Sequence, residues 1–222
     1  MFDGCVDVLR RQGAVVIDPA DVPNFDAFGP TELVVLYHEF KADLNAYLAG
    51  RGRATRVRTL EDVIRFNEKH KGRTMPYFGQ ERMTLAQEKG PLSSRKYRQA
   101  LARNRRLTRR EGIDAVLRKH RLDALVVPSG GPAWLIDLAN GDPHSWDMES
   151  TSPAAVAGYP HLTVPAGHVF GLPVGLSFFS RAWSEPTLLR LGFAFEQATH
   201  VRRPPRFPAS VDVAAAAARG DA

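Results

Sequence analysis

This sequence of 222 residues has a single cysteine and no apolar run that approaches the length of a membrane span. A transmembrane helix needs about 20 predominantly apolar residues, and the first residues, MFDGCVDVLRRQG, also lack the apolar core of a secretory signal. Cys5 alone cannot form an internal disulfide, so packing must stabilise the fold, as is usual in a reducing compartment. These absences predict a soluble cytoplasmic protein without a membrane partner.

Acidic residues are scarce in one segment, Arg95–Arg121, which contains eleven Lys and Arg but only two acidic residues. Its net charge is +9, whereas that of the whole chain is +6. Such a run can neutralise phosphates, but it has neither the Gly-spaced aromatics of an RNA-binding sheet nor the ligands of a zinc finger. Four uncharged residues of this segment are spaced by four, three and four positions, which predicts a surface helix with one buried face. These positions are Tyr97, Leu101, Asn104 and Thr108. Nucleic-acid binding by this helix is the alternative function.

Apolar spacing and turn signals predict alternating strands and helices, an α/β fold without internal repeats. A hydrophobic content of 44% is enough for one domain with a substantial core. The predicted strands cover residues 14–17, 122–127, 161–167 and 173–179. The predicted helices cover residues 31–50, a stretch from the capping pattern at 59–62, a short stretch within 72–91, the basic stretch from 93, and residues 152–158 and 184–199. In the first helix, one face collects Leu33, Leu36, Tyr37, Phe40, Leu44, Tyr47 and Leu48.

Residues 128–151 form a long stretch rich in Gly, Pro, Asn, Asp and Trp, and loops of this length in compact domains are usually functional or disordered. Its tryptophans and polar side chains have the mixed character of a ligand rim, although such tryptophans can equally fold back onto the core. The candidate rim residues are Trp134, Asp137, Asn140 and Trp146, together with Phe78 and Gln80 in the turn PYFGQE. The carboxylates and imidazole of Asp142, His144, Asp147 and Glu149 could ligate a metal, but a loop does not fix their spacing.

Several blocks in a fixed order carry a resemblance to a known family. They include EFKADLNAYL, TLEDVIRFN, PYFGQE, EGIDAVL, LDALVVPSGGPAW, SPAAVAGYPHLTVPAGHVFGLPVGLSFF and EPTLLRLGFAFEQATHVRRPPRF. From about Leu9 to Phe207 this succession resembles the C-terminal part of a peptide-amidase-like member of the amidase signature family, serine hydrolases of carboxamides. The resemblance implies later strands of a mixed β-sheet flanked by helices, within an incomplete domain. It implies a helical lobe at about 31–120, a sheet portion at about 122–200, and a disordered tail at 208–222.

The resemblance also implies a reaction chemistry that needs neither a metal nor a cofactor. Family members use a serine nucleophile, a second serine and a lysine in the first half of a longer chain, and the two serines lie in a Gly/Ser-rich run. No such run exists in this sequence, so no catalytic residue is expected here. Ser93 and Ser94 lie near Lys96 but lack flanking glycines and are interpreted as a helix cap, and Ser129 before Gly130 is interpreted as a turn residue.

The resulting expectation is an amidase scaffold with part of the substrate wall that does not hydrolyse amides alone. Its expected partners are a small amide substrate in the complete enzyme and either an N-terminal amidase half or a second copy of this chain. A gene fragment, one piece of a split enzyme and a non-catalytic module all remain open.

Overall fold

The computed structural model describes residues 1–52, 55–141 and 151–205, and these form two compact units. Unit 1 holds residues 1–25 and the described residues from 107 onward, and unit 2 holds residues 26–106. Unit 1 contains α1 (Phe2–Arg11), α7 (Asp114–His120), β1 (Leu125–Pro128), α8 (Ser152–Ala157), β2 (His161–Val169), β3 (Leu172–Phe179) and α9 (Glu185–Thr199). Unit 2 contains α2 (Gly29–Gly50), α3 (Leu60–Lys69), α4 (Lys71–Thr74), α5 (Glu81–Gln87) and α6 (Arg95–Arg105). A π-helical segment, Arg106–Ile113, which is kinked at Gly112, connects α6 to α7 along the chain.

The three strands form an antiparallel sheet in which β3 lies between β1 and β2. Phe179 lies opposite Leu125 on one side and opposite His161 on the other. The connection from β2 to β3 passes through Phe170 and Gly171, both with positive φ, as a two-residue turn of type I′ requires. The predicted α/β fold, with strands flanked by helices, is thereby confirmed.

Both faces of this sheet are covered by helices of unit 1, because alternate residues of a strand point to opposite faces. Leu176 and Phe178 pack on one face and Phe179 on the other. The first core cluster joins the sheet to α1 and α9 through Cys5, Leu9, Val164, Leu188 and Phe195. The second joins it to the π-helical segment, α7 and α8 through Ile113, Val116, Leu117, Ala154 and Ala157.

Unit 2 is held together by a small core and by side chains that bond to the backbone of a neighbouring helix. Val35 of α2 packs with Tyr97 and Ala100 of α6. The Lys41 ammonium group donates to the carbonyl oxygens of Gln87 and Lys89, at 2.6 and 2.8 Å, and so fixes the end of α5 to α2.

Local signals place the helix ends correctly. Thr59 caps α3 as predicted, because its hydroxyl accepts from the Asp62 N–H while the Asp62 carboxylate accepts from the Thr59 N–H. Ser184 precedes α9, with Pro186 in its first turn. The predicted helices at 31–50, within 72–91, from 93 and at 152–158 are also confirmed.

The strand predicted at residues 14–17 is wrong. These residues adopt no regular structure, and the Val15 side chain is 87% exposed. A run of β-branched residues forms a strand only where another strand pairs with its backbone, and within the described residues only β1, β2 and β3 pair in this way.

The predicted apolar face of α2 exists but is largely exposed. Four of its side chains, which we call the α2 stripe, lie on the surface: Leu33, Leu36, Phe40 and Tyr47. The buried residues of α2 are instead Val35 and His38. No helix among the described residues is long and apolar enough to cross a membrane. The predicted lobe boundaries stay predictions, and residues 208–222 lie outside the described part of the chain.

Candidate functional site

A cluster of three hydroxyl groups fixes the start of the loop that follows β1. The Ser129 Oγ lies 2.7 Å from the Ser177 Oγ, which lies 3.0 Å from the Thr163 Oγ1. The Ser129 N–H also donates to the Gly175 carbonyl at 2.9 Å and so extends the pairing of β1 with β3. A side chain at Gly175 would place its Cβ 2.5 Å from the Ser129 Oγ, so the close approach requires glycine. We call Ser129, Thr163 and Ser177 the hydroxyl cluster.

Three of the predicted rim residues lie in this loop, and two of them, Asp137 and Asn140, are in contact. The third is Trp134. The Asp137 carboxylate accepts from the backbone N–H groups of Ala139 and Asn140 and from the Asn140 side-chain amide, all within 2.9 Å. The hydrogen bond from the Asn140 side chain, followed by those from the two backbone groups, holds the pKa of Asp137 below its ordinary value. Both polar residues therefore shape the loop itself.

The surface that this turn presents is apolar. Leu135 is 88% exposed, Ile136 is 78% exposed, and Trp134 and Leu138 are also exposed. Together these four residues form what we call the apolar loop. Sequence reasoning missed the three aliphatic members, although the run WLIDL within a predicted loop is a signal for them. Trp146 lies outside the described residues, as do Asp142, His144, Asp147 and Glu149.

Phe78 and Gln80, the other two predicted rim residues, lie in unit 2. The Gln80 side chain donates to the Ile64 carbonyl at 3.1 Å and accepts from the Asn67 amide at 3.2 Å. Gln80 thus ties the start of α5 to α3. Phe78 is exposed beside it.

The serine pair near Lys96 has a structural role. The Ser94 Oγ accepts from the Tyr97 N–H at 3.3 Å and caps α6, as predicted. It also lies 3.4 Å from the Nε2 of His38, whose Nδ1 lies 2.7 Å from the Val34 carbonyl and must therefore carry the hydrogen. In residues 1–52, 55–141 and 151–205, no lysine side chain is hydrogen-bonded to a serine.

The basic run follows the predicted pattern on its inward side. Tyr97, Asn104 and Thr108 are buried. Some of its arginines bond within the chain: the Arg103 guanidinium donates to the Ala27 carbonyl, and that of Arg109 donates to the Ala157 carbonyl. Over the described ranges, no group of three His, Cys, Asp or Glu side chains is placed to hold a metal ion.

Comparisons with known proteins agree on one family. The sequence model of the family described as Amidase matches residues 1–189. A probable amidase from Arabidopsis thaliana is 35% identical over 213 residues, an alignment that covers 93% of this chain and 38% of the relative. The structure of native peptide amidase from Stenotrophomonas maltophilia is 44% identical, with a TM-score of 0.83 over 93% of this chain and 40% of that chain. An amidase family protein from Bacillus anthracis is 26% identical, with a TM-score of 0.73 over 93% of this chain and 36% of that one. The chain thus spans about two fifths of the length of these relatives.

Proposed function

Because this chain belongs to the amidase family, we propose that it supplies the scaffold and part of the substrate wall for hydrolysis of a carboxamide C–N bond. The observation that carries this proposal is the apolar loop, whose base is held by the hydroxyl cluster and whose turn is held by Asp137. A wall of this kind positions a substrate, because binding sites combine apolar lining with a few fixed polar groups.

The apolar loop supports an amide substrate with an apolar group next to the cleaved bond. Trp134 and the aliphatic side chains of the loop would bury such a group, at about 25 cal/mol per Å² of apolar surface removed from water. The likeness to a peptide amidase at 44% identity over 93% of this chain favours amides of peptides or amino acids within this class.

The chain alone does not carry out the reaction. A serine nucleophile needs an adjacent base and donors that stabilise the oxyanion. Ser94 is engaged as a helix cap, and Ser129 is engaged by two other hydroxyl groups.

The first test therefore uses the purified chain. We expect no release of ammonia from amino-acid or peptide amides and no labelling by a fluorophosphonate probe, and a serine hydrolase added to the same sample serves as the positive control. Stoichiometric labelling of any serine in this chain would overturn the expectation.

A second test supplies a serine nucleophile and its base in trans. The part of the Stenotrophomonas maltophilia peptide amidase that this chain does not match is mixed with this chain, and hydrolysis of a phenylalanine amide is measured. We expect activity only in the mixture, with a raised KM in Trp134→Ala. The matched control is Trp183→Ala, which truncates an exposed tryptophan outside the apolar loop. Equal KM values for the two variants would contradict the wall role.

A further inference from the structure

Unit 1 has a cavity of about 300 Å³ that shares no residue with the apolar loop or the hydroxyl cluster. Its lining residues belong to α7, to the chain just after α8 and to the connection between β3 and α9. The lining residues are Asp114, Leu117, Arg118, Tyr159, Arg181 and Ala182.

Two guanidinium groups at this cavity have no acidic partner among the described residues. Within the same ranges, the one acceptor of the Arg118 guanidinium is the Arg110 carbonyl, at 3.3 Å. Across the described ranges, no carboxylate forms an ion pair with Arg118 or with Arg181. Both side chains are exposed, so they can turn towards a ligand without losing an ion pair.

The remaining polar groups of the cavity are already fixed. The Tyr159 hydroxyl donates to the Asp114 Oδ2 at 3.0 Å. The Arg109 guanidinium lies over the Tyr159 ring, 5.4 Å from its centroid, and donates to the Ala157 carbonyl at 2.7 Å. The cavity therefore has one lining carboxylate, bonded to a hydroxyl, and two lining arginines, and a third arginine packs over the Tyr159 ring.

We infer that this cavity binds a small oxyanion, a carboxylate or a phosphate, between Arg118 and Arg181. Guanidinium groups form paired, charge-assisted hydrogen bonds with both kinds of anion. The Tyr159 ring, Leu117 and Ala182 add apolar contact for the body of an organic acid. The volume of about 300 Å³ is at the lower end for a ligand site and fits a small molecule.

Equilibrium dialysis of the full chain against radiolabelled inorganic phosphate and, separately, radiolabelled benzoate tests the inference. Ionic strength is held constant, because salt screens exposed charges. We expect saturable binding of one anion per chain, with affinity reduced about tenfold in Arg118→Gln and in Arg181→Gln, since each removes a charge-assisted bond. Saturable binding of benzoate alone would identify a carboxylate ligand, and of phosphate alone a phosphate ligand.

Two further variants separate a local effect from a general loss of charge or fold. Arg190→Gln removes the same charge from α9, outside the cavity, and should leave the affinity unchanged. Asp114→Asn should raise the affinity, because it removes the one negative charge of the cavity and keeps an acceptor for Tyr159. Binding that does not saturate, falls equally in Arg190→Gln, or weakens in Asp114→Asn would overturn the inference.

Discussion

At the scale of single residues, Tyr97 makes the stability of unit 2 depend on pH. Its hydroxyl donates to the Glu39 Oε1 at 2.6 Å, and its ring is buried between α2 and α6. The hydrogen bond to Glu39, then burial and the Glu39 charge, raise the pKa of Tyr97 from 10.0 to about 12. The folded protein therefore keeps this proton at a pH where the unfolded chain has lost it.

The sign of the effect follows from proton linkage. The contribution of Tyr97 to stability is complete below pH 10.0 and is lost as the pH rises to about 12. We expect the free energy of unfolding, measured with urea across this window, to fall less steeply in Tyr97→Phe than in the wild type. Tyr77→Phe changes an exposed tyrosine and should keep the wild-type slope. Identical slopes for all three proteins would contradict the assignment.

At the scale of elements, the π-helical segment depends on Gly112. The backbone of Gly112 leaves the helical region, with φ −117° and ψ −108°. A Cβ there would lie 2.5 Å from the carbonyl oxygen of Leu107, a backbone atom that cannot move independently.

We therefore expect Gly112→Ala to lower the free energy of unfolding by about 1–3 kcal/mol, the usual cost of forcing an atom into a packed site. The matched control is Gly4→Ala in α1, where a Cβ meets open space. That change should stabilise the protein by up to about 1 kcal/mol, because alanine favours a helix over glycine. Urea unfolding of the two variants checks both values, and similar values for the two would refute the role of Gly112.

Helices whose ends are marked by residues a few positions apart could be predicted from the sequence. Thr59 and Asp62 mark the start of α3 through atoms three residues apart. The role of Gln80 could not be predicted, because its partners Ile64 and Asn67 lie 16 and 13 residues away and are brought to it only by packing. The strand at residues 14–17 failed for a related reason, since apolar composition does not show which backbone will pair with it.

The sequence likewise predicts only some features of the candidate site. Composition indicated that Trp134, Asp137 and Asn140 form a polar and aromatic rim. Only the structure shows that the Asp137 carboxylate accepts hydrogen bonds from within the loop. It also shows that Leu135 and Ile136 supply the exposed apolar surface. A hydrogen bond inside a turn and one aimed at a ligand use the same residue types, so the sequence does not separate them.

At the scale of the whole molecule, the α2 stripe predicts association between copies of the chain. Proteins that stay monomeric rarely expose large continuous apolar patches. We expect oligomers in sedimentation velocity at tens of micromolar protein and strong binding of a hydrophobic dye. The double variant Leu36→Gln and Phe40→Gln should reduce both signals, because it makes two exposed positions of the stripe polar.

Leu189→Gln serves as the control, since Leu189 is also exposed, to 61%, but lies on α9. It should change neither the sedimentation profile nor the dye signal. A sharp monomer of the wild-type chain with negligible dye binding would show that the stripe does not promote association.

Unit 1 is built from two separate segments of the chain, and this affects how it folds during biosynthesis. The residues of unit 2 are consecutive, whereas α1 precedes them and packs against partners that follow them. The contact between Cys5 and Ala166 spans 161 residues. At a synthesis rate of about 5–20 residues per second, α1 waits on the order of ten seconds for these partners to leave the ribosome. During this interval unit 2 can fold. Cys5 and Leu9 remain accessible to chaperones until the β2–β3 hairpin and α9 have been synthesised.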